Sequence, residues 1–161
     1  MLLSDRRFFL LGCAALAGCG YSPVYAPGGS ASGLIGNMRY ADPTDENQFN
    51  LVRRFEERLG RNPNAAYQLD YDLDLQINAL GITPNQKITR YNVLGTASFA
   101  VRNTAGETLT TGQINNFTSY SASGTTAETQ TAGRDAYARL MVILADQIVS
   151  RLLATSGDWM P

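Results

Sequence analysis

Cys13 and Cys19 are the only thiols in this chain of 161 residues, and it contains no histidine. That pairing closes most routes to catalysis. Without an imidazole there is no Ser-His-Asp triad, and no His/Cys set for a metal ion. Glycine-rich phosphate loops and a Gly-x-Ser-x-Gly elbow are also missing. Three acids, Asp70, Asp72 and Asp74, do recur at every second position. On one face of an extended chain such neighbours sit about 6.6 Å apart, too far to hold one cation unaided. They read as a solvated strand face. No acid/base or nucleophile constellation emerges, so the expectation is a non-enzyme without cofactor or metal.

What Cys19 can do is be alkylated. Arg6 and Arg7 precede an apolar run from Phe8 to Leu16, and small Ala17 and Gly18 stand directly before Cys19. A basic start, a short apolar stretch and small residues before a cut describe a secretory signal. Leu16-Ala17-Gly18-Cys19 resembles the bacterial lipobox, in which cysteine becomes the first mature residue. Its thiol then receives a diacylglycerol and its new amino group is acylated. The apolar run is far shorter than the ~20 residues that span a bilayer. Cys13 is a poorer candidate, because bulky Leu11 fits the cleavage site badly. Two or three acyl chains exceed what stable anchoring requires. Asp5-Arg6-Arg7-Phe8-Phe9-Leu10 also resembles a twin-arginine export signal. Two arginines serve an ordinary signal equally well, so the export route stays open.

These features divide the chain. Residues 1–18 are the leader, and 19–33 are the lipidated start with the Gly28–Gly33 tract as a flexible tether. Residues 34–155 form one domain, and 156–161 a frayed tail with Trp159 docking locally. Loss of Asp5, Arg6 and Arg7 with the leader takes the formal charge from −1 to −2, which offers no basic footprint for nucleic acid.

The elements that must position everything else follow from periodicity. Leu34–Tyr40 reads as a short strand. Thr44 is the expected N-cap of a helix whose stripe is Phe49, Val52, Phe55 and Leu59, with Arg53–Glu57 and Glu57–Arg61 pairs opposite and Gly60 and Pro63 as its end. Ala66–Leu80 alternates strictly, with Tyr67, Leu69, Tyr71, Leu73, Leu75 and Ile77 on one side and Gln, Asp and Asn on the other. A turn at 81–87 leads to a strand over 88–103, and Thr104–Glu107 to another over 108–123. In the last of these a bulge near Gly112 would reconcile Leu109 and Phe117 with Ile114 and Tyr120. Asn115, Asn116, Thr118, Ser119 and Ser121 give it an uncharged, hydrogen-bonding face. A long helix over 126–153 carries Tyr137, Leu140, Met141, Leu144, Ile148 and Leu152, an Asp135–Arg139 pair, and three charges that argue against a membrane span. The expected architecture is α+β: a four-stranded, mainly antiparallel sheet with both helices on one face, in the order β-α-β-β-β-α.

Cys19-Gly20-Tyr21-Ser22-Pro23-Val24-Tyr25, together with the final helix around Leu144–Leu152, resembles the LPS-assembly lipoprotein (LptE) family in its alphaproteobacterial form. The resemblance implies a lipoprotein at the periplasmic face of the outer membrane, held by the lipid on Cys19. It implies a partner, the β-barrel of lipopolysaccharide transport, whose lumen the protein plugs and whose assembly it assists. It also implies lipopolysaccharide contacts from basic residues at the turn between the second and third strands, which here are Lys87 and Arg90. From the residues alone, these two are ordinary charges at a turn end. The later loop, 121–131, has no Lys or Arg. The alternative in another class is an auxiliary lipoprotein of an ABC-type lipid transporter.

Overall fold

A computed structural model describes residues 30–82, 85 and 87–160. Cys19, the leader and most of the tether lie outside them. The described chain runs through a 3-10 turn at Ser30–Gly33, β1 (Met38–Tyr40), α1 (Glu46–Leu59), β2 (Tyr67–Ile82), β3 (Ile88–Asn103), β4 (Thr108–Ser121) and α2 (Thr126–Trp159). The sheet order is β1-β2-β3-β4. β2–β3 and β3–β4 are antiparallel, whereas β1 lies parallel to β2 over only three residues. A parallel pair needs a crossover, and α1 supplies it. The expected α+β sheet and two helices are therefore present, with one parallel pair at the edge.

The first strand is shorter than the sequence suggests. Only Met38–Tyr40 are extended, because Gly36 adopts φ 74° and its amide donates to Leu59 O at 2.6 Å. α1 starts one residue later than expected. Asp45, not Thr44, is the N-cap, its Oδ1 accepting from the Gln48 amide at 2.9 Å. Thr44 instead donates to the Gln48 side chain. The helix ends at Gly60 with φ 76°, a conformation glycine adopts without strain.

α1 buries Leu51, Val52, Phe55 and Leu59, while Phe49 is 57% exposed. Phe49 falls in the first turn, beyond the part of α1 that its neighbours cover. Length explains a related exposure on β2. Fourteen helical residues span about 21 Å, whereas sixteen extended residues span about 53 Å. α1 therefore covers the start of β2, where Phe55 meets Tyr71 with ring centroids 6.2 Å apart. Farther along the alternating row burial fades, and Ile77 is 48% exposed.

α2, at 34 residues, spans about 51 Å and matches the strands end to end. A Thr125/Glu128 capping box starts it. It then presses on Tyr120 at Gly133 and on Gly95 through Leu140 and Leu144. The helix does not stop near residue 153 but continues to Trp159. Ser156 is fully buried and Trp159 stacks edge-on against Tyr67 at 5.8 Å. The Asp135–Arg139 pair does not form. Charge alone does not disqualify α2 as a membrane span: by length and composition it is apolar enough to cross one. Half of its most apolar window is instead buried in this domain.

The bulge in β4 sits at Leu109 rather than Gly112, since Val101 pairs with Thr110 and Arg102 with Thr108. This turns Leu109 towards the core with Ile114 and Tyr120. Phe117 stays on the other face and is 60% exposed. Gly112 instead makes room for an aromatic ring. A β-carbon there would lie 2.5 Å from Phe99 Cζ, and Arg151 sits over that same ring at 5.9 Å.

Candidate partner interface

Both helices cover one side of the sheet, so among the described residues nothing covers the other side. Its residues form rows across the three long strands, such as Asp72–Ser98–Gln113, Asp74–Thr96–Asn115 and Gln76–Leu94–Phe117. The chemistry is amide, hydroxyl and carboxylate, laced by short side-chain bonds. Gln68 donates to Asp70 at 2.7 Å and Gln76 to Asp74 at 3.1 Å. Arg102 Nε lies 3.2 Å from Asp70 Oδ2, which neutralises the first acid of the row. The exceptions are Leu80 at the far end of β2 and the cross-strand pair Leu94–Phe117, an apolar island toward the β4 edge. Of the uncharged residues expected on one face, only Asn115, Ser119 and Ser121 are exposed here. Asn116 and Thr118 turn the other way, and Thr118 Oγ1 donates to Ala136 O beneath α2 at 2.9 Å.

Lys87 and Arg90 lie at the far end of the β2–β3 hairpin, both exposed. Arg90 sits opposite Leu80 on one side and Ser121 on the other. A cleft of about 370 Å³ opens at the same end, lined by Ile88, Tyr91, Gly124, Thr126 and Gln130 among others. Tyr91 and Tyr120 stack beside it at 5.3 Å, and burial raises the Tyr120 hydroxyl above its ordinary pKa.

The strongest electrostatic feature joins the two helices through two arginines that lie off the apolar stripe of α1. Arg54 grips Asp146 through Nε and Nη2, each at 2.9 Å, and Arg58 Nη1 reaches Asp146 Oδ1 at 2.7 Å. The Arg54 hydrogen bonds hold the Asp146 carboxyl below its usual range. The expected Arg53–Glu57 pair is present at 3.8 Å, but Arg61 turns to Glu56 and Asp42 instead of Glu57. The signal for the missed cluster was a lone acid in the apolar half of the long helix, with arginines one helical turn apart on the other. Tyr71, inside the α1–β2 contact, is pushed up to about 12 by burial. Among the described residues no group of three or more potential ligands is placed to hold a metal.

A family model described as "LptE: Lipopolysaccharide-assembly" matches residues 38–152. No curated protein matches the chain. The fold is similar to that of a putative lipoprotein from Caulobacter crescentus, at TM-score 0.65 and 13% identity over 80% of this chain and 98% of that one. It is also similar to rare lipoprotein B from Shewanella oneidensis, at TM-score 0.59 and 16% identity over 76% and 96%. A minor lipoprotein from Acinetobacter baumannii follows at 0.56 and 18%, over 76% and 94%. At these identities the likeness establishes the fold.

Proposed function

The chain belongs to the LptE family of lipopolysaccharide-assembly proteins, and from that premise we propose that it is a lipid-anchored plug and assembly partner of the outer-membrane β-barrel for lipopolysaccharide transport. Its role in lipopolysaccharide assembly, and the non-enzymatic character of the family, come with membership. The plug reading goes further and rests on one observation, the bare polar face of the sheet. A large barrel has a polar, water-lined lumen. A wedge that fills it must bury its grease internally and offer hydrogen-bonding groups outward. The sheet side with Asp72, Ser98, Gln113 and Asn115 does so, while Leu69, Val93, Leu140 and Ile148 are fully enclosed on the opposite side.

In this reading the lipid on Cys19 holds the protein at the periplasmic face of the outer membrane. Lys87 and Arg90 meet lipopolysaccharide phosphates, for which charge-assisted bonds from cations are the natural partners. The test is co-purification of the native lipoprotein from membranes in mild detergent. A stoichiometric outer-membrane barrel is expected. A permease or solute-binding subunit in its place would replace this reading with the ABC-transport one. For the contacts, a Lys87→Ala/Arg90→Ala double variant should lose photo-crosslinking to lipopolysaccharide while retaining the barrel. Unchanged crosslinking would remove these two residues from the site.

A further inference from the structure

Among the described residues β4 is an edge strand, and its backbone is turned outward beside a groove. The Phe117 amide donates to Asn116 Oδ1 at 2.8 Å, and the Gln113 carbonyl accepts from Arg151 Nη1 at 3.4 Å. Both groups therefore point away from β3. Residues two apart in a strand share that direction, so the amides and carbonyls of Gln113, Asn115, Phe117 and Ser119 line the open edge. Next to them, between β4 and α2, lies a groove of about 600 Å³ lined by Gln113, Ile114, Asn115, Asp146, Gln147 and Ser150. An unpaired edge with a helix forming the second wall of a groove is the geometry used for adding an extended segment as an extra strand.

The two sides of the sheet differ in how they treat such a visitor. Among the described residues β2 also lacks a β1 partner beyond Leu69, yet it carries Asp70, Asp72 and Asp74 along that stretch. Charged side chains are a standard guard on exposed edges. β4 has no charged residue and no proline in its 14 residues, and its bulge sits at the Leu109 end, away from the groove. The one acid in the groove, Asp146, is already held by Arg54 and Arg58. On the bare face Phe117 has Leu94 on one side and an empty cross-strand position on the other.

We propose that the β4 edge, from Gln113 to Ser119, receives an uncharged extended segment of the barrel partner as a fifth strand, with an apolar residue seated against Phe117. This rests on the barrel reading above. A closed barrel has no free strand edge, so the segment is a lumenal loop or a terminal extension rather than a wall strand.

Hydrogen exchange on the isolated lipoprotein and on its detergent-extracted complex tests this. The amides of Asn115, Phe117 and Ser119 should exchange at least about tenfold more slowly in the complex. Asn115→Pro removes one outward N–H without touching the β3 ladder. With an unchanged circular dichroism spectrum, it should lower barrel recovery about tenfold below that of Asn115→Thr, which loses the same side chain but keeps the N–H. A barrel retained with unprotected β4 amides overturns this inference and leaves the plug reading standing. A preparation without any barrel overturns both. Protection already present in the isolated chain, rising with concentration alongside a dimer mass, assigns the edge to a second copy and overturns the proposal.

Discussion

At the scale of single residues, Asp146 carries the clearest energetic consequence. Its native pKa is lowered chiefly by its hydrogen bonds with Arg54. A depressed carboxylate contributes stability that is fully present above its unfolded pKa. That contribution fades as pH falls through the native value. The protein should therefore lose stability on acidification below about pH 4, and Asp146→Asn should flatten that limb of the urea-midpoint-versus-pH curve. With the side chain 31% exposed, the loss near neutral pH should be modest, about 1 kcal/mol. Gly112 makes a second case. Gly112→Val would drive methyl groups into the Phe99 ring and the Arg151 guanidinium above it. Overpacking of this kind should cost about 1–3 kcal/mol in thermal unfolding. Neither effect could be read from spacing, because both depend on which side chain another element delivers to the spot.

At the scale of elements, α1 and α2 part company in how well periodicity describes them. The stripe expected on α1 was right for Val52, Phe55 and Leu59 and wrong for Phe49, since spacing says which side faces inward but not where cover ends. Phe55→Ala should cost about 3–5 kcal/mol and Phe49→Ser less than about 0.5 kcal/mol by chemical denaturation. Equal losses would mean that α1 packs in some other rotation. On α2 the stripe was correct but too narrow, because this helix meets both the sheet and α1 and so buries Ala145, Val149 and Leu153 as well. The tail 156–161 looked frayed for want of an apolar repeat. What orders its start is long-range packing, with Ser156 buried, Trp159 on Tyr67 and Met160 against Gly33, and Trp159→Ala should lower stability by at least about 1 kcal/mol. β4 was ambiguous for a similar reason. One extra residue reverses the parity of everything beyond it, and nothing local to Leu109 marks it as the bulge.

At the scale of the whole molecule, the layered α+β architecture was legible because two amphipathic helices and one-sided strands have few ways to pack. The candidate contacts were less so. Lys87 and Arg90 came from the family resemblance, whereas the Leu94–Phe117 island and the open β4 edge needed the register between strands. In the proposed reading Cys19 carries the lipid, and in sequence it precedes every core residue among those described. Cys19→Ala should therefore release the protein from membranes while its melting temperature stays unchanged, and an unfolded product would contradict the assignment of the core to residues beyond the tether.

The central claim is that the bare sheet face is turned toward the inner wall of a barrel. A photo-crosslinking residue in place of Asp72, exposed in the middle of that face, tests it directly in intact cells. Crosslinks to an outer-membrane β-barrel are predicted. Crosslinks confined to an inner-membrane permease, or a face that reacts with nothing but water while the barrel is present, would contradict the account.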